Sequence, residues 1–411
     1  MREFFRVVTL GEAERILAEN WPRDRAEVVV APLAGALGAT LAEDIYAQAH
    51  LPPFTRATVD GFAVRAADTF GASPALPAYL RIVGEVFMGQ EPRLQVGTGE
   101  AASIPTGGVL PEGADAVVMV ENMEEVSPVE VGVVKAVAPG ENIIAAGEDV
   151  PQGGWVLARG RRLRPFDLGL LAGAGVTEVP VFPPLAVGIL ATGNEIIPPD
   201  RVPRAGQVRD MNSYTLLGLA QAAGARATLW GIAGDTLGEL QAGIEAALAA
   251  SDLLVLSGGS SVGSRDLVLE VLQERLGAEV LFHGVALKPG KPALAARVQD
   301  SLIIGVPGHP GAAAVFFQVL LGPLLARGEY PPRELQPTVK AVLRRSLASA
   351  SGREEFVAVR LVLEDGIVWA EPVLGKSGLL RPLVQADGLL RIPIEKDGLA
   401  AGETVEITLL A

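Results

Sequence analysis

Cysteine is absent from the 411 residues, and histidine occurs only at His50, His283 and His309. The first absence excludes disulfides, thiolate metal sites and a cysteine nucleophile. The wide spacing of the three histidines argues against a histidine-built zinc site. Any metal is then expected to be a hard cation on oxygen ligands, such as Mg²⁺. Positive charge is also scarce: the net charge is -14, which argues against a general nucleic-acid binder. No membrane span is expected. The longest uncharged stretch, Ser301 to Ala326, is broken by Pro307, Pro310 and Pro323 and carries Gln318. It reads as a strand, a turn and a buried helix. The opening MREFFRVVTLGEAERI sets Glu3 and Arg6 inside its apolar run, unlike a secretory signal. A reducing cytoplasm fits these absences.

Hydrophobic residues make up 49% of the chain and charged residues 20%, so a sizeable core is expected and global disorder is not. The length suggests two to four domains. From about Pro184 to Leu325 the chain alternates apolar strand-like runs (LAVGILAT, ATLWGIAG, DLLVLSGG, VLFHGVAL, LIIGVPG) with helical patterns (NSYTLLGLAQAAG, TLGELQAGIEAALAA, LVLEVLQERLG). That alternation predicts an α/β domain, a central doubly wound, mostly parallel sheet, over residues 181–326. Residues 51–139 are rich in Gly, Pro and Val in short runs and predict a small β-rich domain. Residues 327–411 alternate again in short runs and predict a C-terminal β domain. Residues 1–50 and 140–180 are read together as a connecting domain. The whole is an α/β plus β multidomain chain.

Five loops are expected at the carboxyl ends of the central strands, where ligands bind in such sheets: ATGNE, Gly234-Asp235, GGSSVGSRD, KPGKP and PGHP. In the third, Gly258, Gly259 and Gly263 allow close backbone approach. Ser257, Ser260 and Ser261 add hydroxyls, and a following helix N-terminus favours phosphate. A plain strand-to-helix turn is the competing reading, with Asp266 merely favouring the helix dipole. Only six of the 34 basic residues are lysine, and KPGKP holds two of them, Lys288 and Lys291, in a proline-stiffened turn suited to an anion. Glu195, Asp235 and Asp266 supply oxygens of the kind Mg²⁺ takes beside phosphates. For Asp235 the N-cap of the helix starting at Thr236 is preferred on sequence grounds. Asp60-Gly61 and Thr106-Gly107-Gly108 read first as turns, and His309 as a loop residue. The bare chemistry indicates a phosphorylated, anionic ligand with a divalent cation.

Taken in order, LPPFTRATVDGFAVRAADT, IPTGGVLPEGADAVVMVE, ENIIAAGEDV, VGILATGNEI, VRDMNSYTL, LSGGSSVGSRD, ALKPGKP, GVPGHPGAAAVFFQ and LGKSGLLRPLVQADGLLRIP resemble the molybdopterin molybdenumtransferase family (MoeA, and the enzymatic domain of gephyrin). The resemblance runs over nearly the whole chain. It implies Mg²⁺-dependent cleavage of adenylylated molybdopterin, with molybdate as co-substrate, molybdenum placed on the dithiolene and AMP released. It implies an elongated homodimer in which one subunit's small β domain closes over the other's sheet edge. Functional weight then falls on Asp60, Thr106, Asp235, Asp266, Lys288 and Lys291. Glu195, Asp235 and Asp266 are assigned to the metal, and the lysines to phosphate or oxyanion. Substrate binding is expected of Ser257, Gly258, Gly259, Ser260, Ser261, Gly263, Pro289, Gly290, Pro307, Gly308 and Ser377.

The chain departs from the family pattern in three places. RATVDGFA stands where many members have NSAMDGYA, so Ala57 lacks a hydroxyl. NIIAAGED replaces an arginine-bearing NIRRRGED, and PGHP replaces PGNP, bringing in His309. Two other functions compete. One is molybdopterin adenylylation, carried out by enzymes that share the central fold; the other is a non-catalytic cofactor carrier or scaffold. The long flanking regions and KPGKP favour metal insertion over the first. Retention of the acids and lysines favours it over the second.

Overall fold

The protein is described by a computed structural model covering residues 7–22, 28–258, 267–326, 337–349 and 352–410. It forms two compact units, one of residues 1–28 with 182–411 and one of residues 29–181.

In the first unit six strands make a sheet: β1 (Ala186–Thr192), β2 (Arg226–Ala233), β3 (Leu253–Gly258), β4 (Glu279–His283), β5 (Leu294–Val298) and β6 (Ser301–Val306). Their order is β2-β1-β3-β6-β5-β4. β2, β1, β3 and β6 are parallel; β5 runs antiparallel to both β6 and β4. The Ala-rich β5, LAARV, carries none of the alternation that marks the others, and it turns back through Gln299 at φ 52°.

Side chains alternate across a strand, and here successive residues go to two different cores. Val187, Ile189, Leu253, Val255, Leu302 and Ile304 pack with Leu216 and Ala220 of α1 (Asn212–Ala222). Leu190, Leu254, Leu256 and Ile303 pack with Leu240, Ile244 and Ala247 of α2 (Leu237–Leu248). Both faces are therefore covered by helices, which is why these strands are continuous hydrophobic runs. α3 (Pro310–Phe316) adds Ala313 and Phe316 to the first core.

Residues 7–22 cluster with the first unit rather than with residues 29–50. The segment Leu10–Glu19 is a helix with a full capping box, Thr9 and Glu12 bonding reciprocally. Its Ala13, Ile16 and Leu17 are buried in the core that also holds Val187, Leu281 and Phe317. Burying Ile16 and Leu17 contributes about 1.5–3 kcal/mol each. Val8 continues the attachment with backbone bonds to Gly284 and Ala286.

Five C-terminal strands close on one another: Glu354–Glu364, Ile367–Pro372, Thr338–Leu343, Thr404–Leu409 and Gly388–Ile392. A sixth, two-residue strand is borrowed from the KPGKP loop, where Leu287 and Lys288 pair with Glu354 and Glu355. The C-terminal barrel is thus stitched to the carboxyl edge of the central sheet.

In the unit of residues 29–181, Val29–Pro32 pairs antiparallel with Glu178–Phe182. Residues 36–47 share a core with residues 150–181. A six-stranded sheet between them runs in the order Ala116–Met119, Gly61–Val64, Glu100–Ile104, Ala78–Glu85, Glu130–Val133, Met123–Ser127. The densest basic stretch, Arg159 to Arg164, is consumed internally. Arg161 and Arg164 both bond Asp167, and Arg162 donates to Gly38 O. No helix among the described residues is long and apolar enough to cross a membrane.

Candidate functional site

Because β1, β2, β3 and β6 are parallel, and β4 runs with them through β5, the loops ATGNE, Gly234-Asp235, KPGKP and PGHP all leave from one edge. Ser257 and Gly258 end β3 there. Gly259, Ser260, Ser261, Gly263 and Asp266 lie outside the described residues.

Glu195 and Asp235 come from neighbouring strand ends. Asn194, which the sequence reading passed over, ties them together: its N–H donates to Asp235 Oδ2 at 3.0 Å, and Asp235 N–H donates to Asn194 Oδ1 at 3.2 Å. The N-cap of α2 is Thr236, whose hydroxyl oxygen accepts from Glu239 N–H. Asp235 is thereby relieved of the capping role the sequence preferred. Glu195 is exposed and folds back over Gly193, where a Cβ would lie 2.6 Å from Glu195 Oε2. Among the described residues no three His, Asp or Glu side chains converge on a point that could hold a metal. The donor chemistry fits Mg²⁺ in its usual manner, one or two carboxylates completed by substrate oxygens and water. Asp235 engages only one of its two oxygens among the described residues.

Ser257 is buried at 3% exposure, and its Oγ accepts from Asn212 Nδ2 at 2.9 Å. The same amide nitrogen donates to Gly308 O at 2.9 Å. A carbonyl can only accept, so the amide orientation of Asn212 is fixed. One side chain at the start of α1 therefore braces the end of β3 against PGHP. Read from sequence, Asn212 is only a helix-start residue.

Lys288, Pro289, Gly290, Lys291, Pro307, His309 and Ser377 line one cleft of about 650 Å³ between the sheet edge and the C-terminal barrel. Arg353, Glu355 and Lys376 line it too. Lys288 Nζ lies 2.8 Å from Glu355 Oε1, whose side chain is only 13% exposed. That carboxylate also accepts from Ser349 Oγ. Lys291, Lys376 and Arg353 have no ion-pair partner among the described residues, so the cleft carries surplus positive charge. His309 is more than a loop residue. It precedes α3, and its Nδ1 lies 2.9 Å from Ser377 Oγ. Gly311 N–H donates to Ser377 O at 3.0 Å, clamping the two segments together.

In the other unit, Asp60 Oδ1 accepts from Thr106 N at 2.7 Å and from Thr106 Oγ1 at 2.9 Å. The backbone donor first, then the hydroxyl, hold the Asp60 carboxyl below its ordinary range. Gly61 opens a central strand, where a Cβ would lie 1.9 Å from Val118 O. The Asp-Gly pair is thus no hairpin turn. Thr106-Gly107-Gly108 is a turn, with Gly107 at φ 84° and Gly108 N–H on Pro105 O, and it is this turn that delivers both donors to Asp60. These bonds favour the ionised carboxylate, and they engage only its Oδ1.

Three family models match consecutive parts of the chain. They are the MoeA N-terminal region (domain I and II) at residues 8–175, a "Probable molybdopterin binding domain" at residues 188–327, and the MoeA C-terminal region (domain IV) at residues 340–410. The molybdopterin molybdenumtransferase of Bacillus subtilis is 34% identical, covering 98% of this chain and 94% of its own length. That of Haemophilus influenzae is 31% identical, covering 98% of each. The crystal structure of a molybdopterin biosynthesis MoeA protein from Pyrococcus horikoshii superposes with a TM-score of 0.84 at 33% identity, covering 98% of this chain and 100% of that one. With the sheet-edge cleft, the stitched barrel and relatives matched end to end, this chain belongs to the MoeA family of molybdopterin biosynthesis proteins.

Proposed function

We propose that this protein is a molybdopterin molybdenumtransferase of molybdenum cofactor biosynthesis, taking adenylylated molybdopterin and molybdate and releasing AMP. The observation that carries the reading is the cleft at the carboxyl edge of the sheet. Three cations without an ion-pair partner among the described residues, Lys291, Lys376 and Arg353, line it with one carboxylate, Glu355, which already pairs with Lys288. Such a surplus suits oxyanions and phosphates, whose charge a basic lining stabilises in a partly desolvated site. Pro289 and Pro307 stiffen the lining's backbone, and Ser377 offers a hydroxyl beside the cations. Asn212 ties Ser257, at the end of β3, to Gly308 of the PGHP loop.

Glu195, Asp235 and Asp266 are the residues that would hold Mg²⁺, which supplies neutralisation of charge on phosphate oxygens when bound. Asp60, with Thr106 fixing its carboxylate, is assigned to the same chemistry. Its placement on a separate unit is accounted for if the protein works as a homodimer in the cytoplasm. The functional division we adopt is residues 51–139, 181–326 and 327–411, with 140–180 and residues 29–50 as the connector.

The test is to incubate the purified protein with adenylylated molybdopterin, Mg²⁺ and molybdate or tungstate, and to follow AMP and active cofactor. Oxyanion-dependent AMP release with cofactor formed is the expected result. Nucleotide transfer from ATP without molybdate would favour the adenylyltransferase reading. Tight nucleotide binding with no turnover would make the protein a carrier.

A further inference from the structure

Four of the charged groups along the cleft, Lys288, Lys291, Lys376 and Arg353, are cations, and Glu355 is an anion. The remaining titratable group is His309, on the PGHP loop, 2.9 Å from Ser377 Oγ. We propose that His309 is a positioning residue that sets which way the Ser377 hydroxyl hydrogen points. When protonated, it also adds a further positive charge to the cleft lining. The inference rests on the reading of this cleft as an oxyanion site.

The argument is one of donors and acceptors. A neutral imidazole has one ring N–H and one bare nitrogen. In the neutral tautomer with Nδ1 bare, the only hydrogen available to the pair is that of Ser377, so the hydroxyl donates toward the ring and offers only lone pairs elsewhere; in the other neutral tautomer Nδ1–H already donates to Ser377 Oγ. With both nitrogens protonated, Nδ1–H must donate to Ser377 Oγ, and the hydroxyl hydrogen is released to donate to an anion in the cleft. The backbone of Ser377 is held beside the ring. Its carbonyl is held by Gly311 N–H, and Gly311 itself has Ser377 O and Leu379 O packed at 3.0 and 2.9 Å from where a Cβ would sit. His309 is exposed and lends no side-chain cap to the helix that follows, so its ring is free to serve the cleft rather than the fold. An asparagine at this position, as in PGNP, offers a permanent donor and acceptor with no proton-dependent change. Protonation of His309 thus adds charge in either tautomer and frees the Ser377 hydrogen where Nδ1 was bare, a change the asparagine cannot make.

The experiment measures tungstate binding to the full-length protein by calorimetry between about pH 6 and about pH 8.5, in the range where histidine charge changes. Wild type, His309→Asn, Ser377→Ala and Lys291→Ala are compared. One charge-assisted hydrogen bond gained or lost corresponds to about tenfold in affinity. Wild type is expected to bind about tenfold tighter at the acid end, while His309→Asn is nearly flat and Ser377→Ala keeps only the smaller part that comes from the added charge. Parallel pH dependence in wild type and His309→Asn would overturn the role of His309 while leaving the cleft intact. No tungstate binding by wild type at any pH, or full binding by Lys291→Ala, would remove the oxyanion reading and the inference with it.

Discussion

Replacing Gly311 by alanine sets two known effects against each other. Alanine is the better helix former by about 1 kcal/mol in a helix interior, and Gly311 is the second residue of α3. Opposing this, the new Cβ would sit 2.9 Å from Leu379 O and 3.0 Å from Ser377 O. Both obstacles are backbone atoms, so neither can rotate away. The segments must separate by a few tenths of an ångström, stretching the 3.0 Å bond from Gly311 N to Ser377 O. A weakened hydrogen bond removes about 0.5–1.5 kcal/mol, and overpacking costs about 1–3 kcal/mol. The clash wins, leaving a net destabilisation of about 2 kcal/mol concentrated at the clamp. Hydrogen exchange at the Gly311 amide is the direct assay, and about 2 kcal/mol corresponds to roughly thirtyfold faster exchange there. Tungstate affinity should fall with it, because Ser377 is displaced from the cleft lining. If Gly311→Ala is as protected as wild type and binds tungstate equally, the clamp does not hold Ser377 as argued.

Other outcomes follow from the same geometry. Lys291→Ala should abolish turnover with thermal stability unchanged within about 0.5 kcal/mol, since Lys291 has no ion-pair partner among the described residues. Lys288→Ala should lose both, because Glu355, with 13% of its side chain exposed, is left without its cation; equal melting points for the two variants would contradict this. Thr106→Val should raise the Asp60 titration midpoint by removing the hydroxyl donor, while the backbone donor keeps it partly lowered. The depressed carboxyl contributes stability that is present above its unfolded value and lost as pH falls through the folded one. The variant should therefore lose that contribution at a higher pH, as followed by NMR of the Asp60 carboxyl. Asn212→Ala should destabilise the sheet edge by about 1–3 kcal/mol, stranding a buried hydroxyl and a carbonyl; denaturant unfolding checks it, and an unchanged midpoint would show that the brace is dispensable.

The central sheet was legible because its strands are buried on both faces and its helices on one, which leaves continuous runs such as LAVGILAT beside 3.6-residue patterns such as LGELQAGIEAAL. The strand Leu294–Val298 was not, since LAARV offers two alanines and an arginine where strand formers are expected. Lys288 and Lys291 stood out by rarity. Lys376 and Arg353 did not, because nothing local distinguishes a cleft-lining cation from a solvated one. The contacts that define the site are long-range: Asn212 to Ser257 and Gly308, and His309 to Ser377. Each spans dozens of residues, and no periodicity or turn chemistry encodes such a meeting. Asp60 and Thr106 were each readable as turn residues, and only the fold reveals that one turn holds the other's carboxylate.

The antiparallel pairing of Val29–Pro32 with Glu178–Phe182 has a topological consequence. Val29 sits opposite Val181, so the unit of residues 29–181 begins and ends on adjacent strands, about 5 Å apart. The chain enters and leaves it through one doorway. During synthesis this unit can close on itself once residue 182 has left the ribosome. The helix Leu10–Glu19, although made first, has its core completed only when Phe317 and Leu320 are made. A segment with neighbouring ends is one that evolution can insert into, or remove from, an existing α/β domain with little rearrangement of the host. The order of residues along the chain therefore differs from the order in which its pieces become complete.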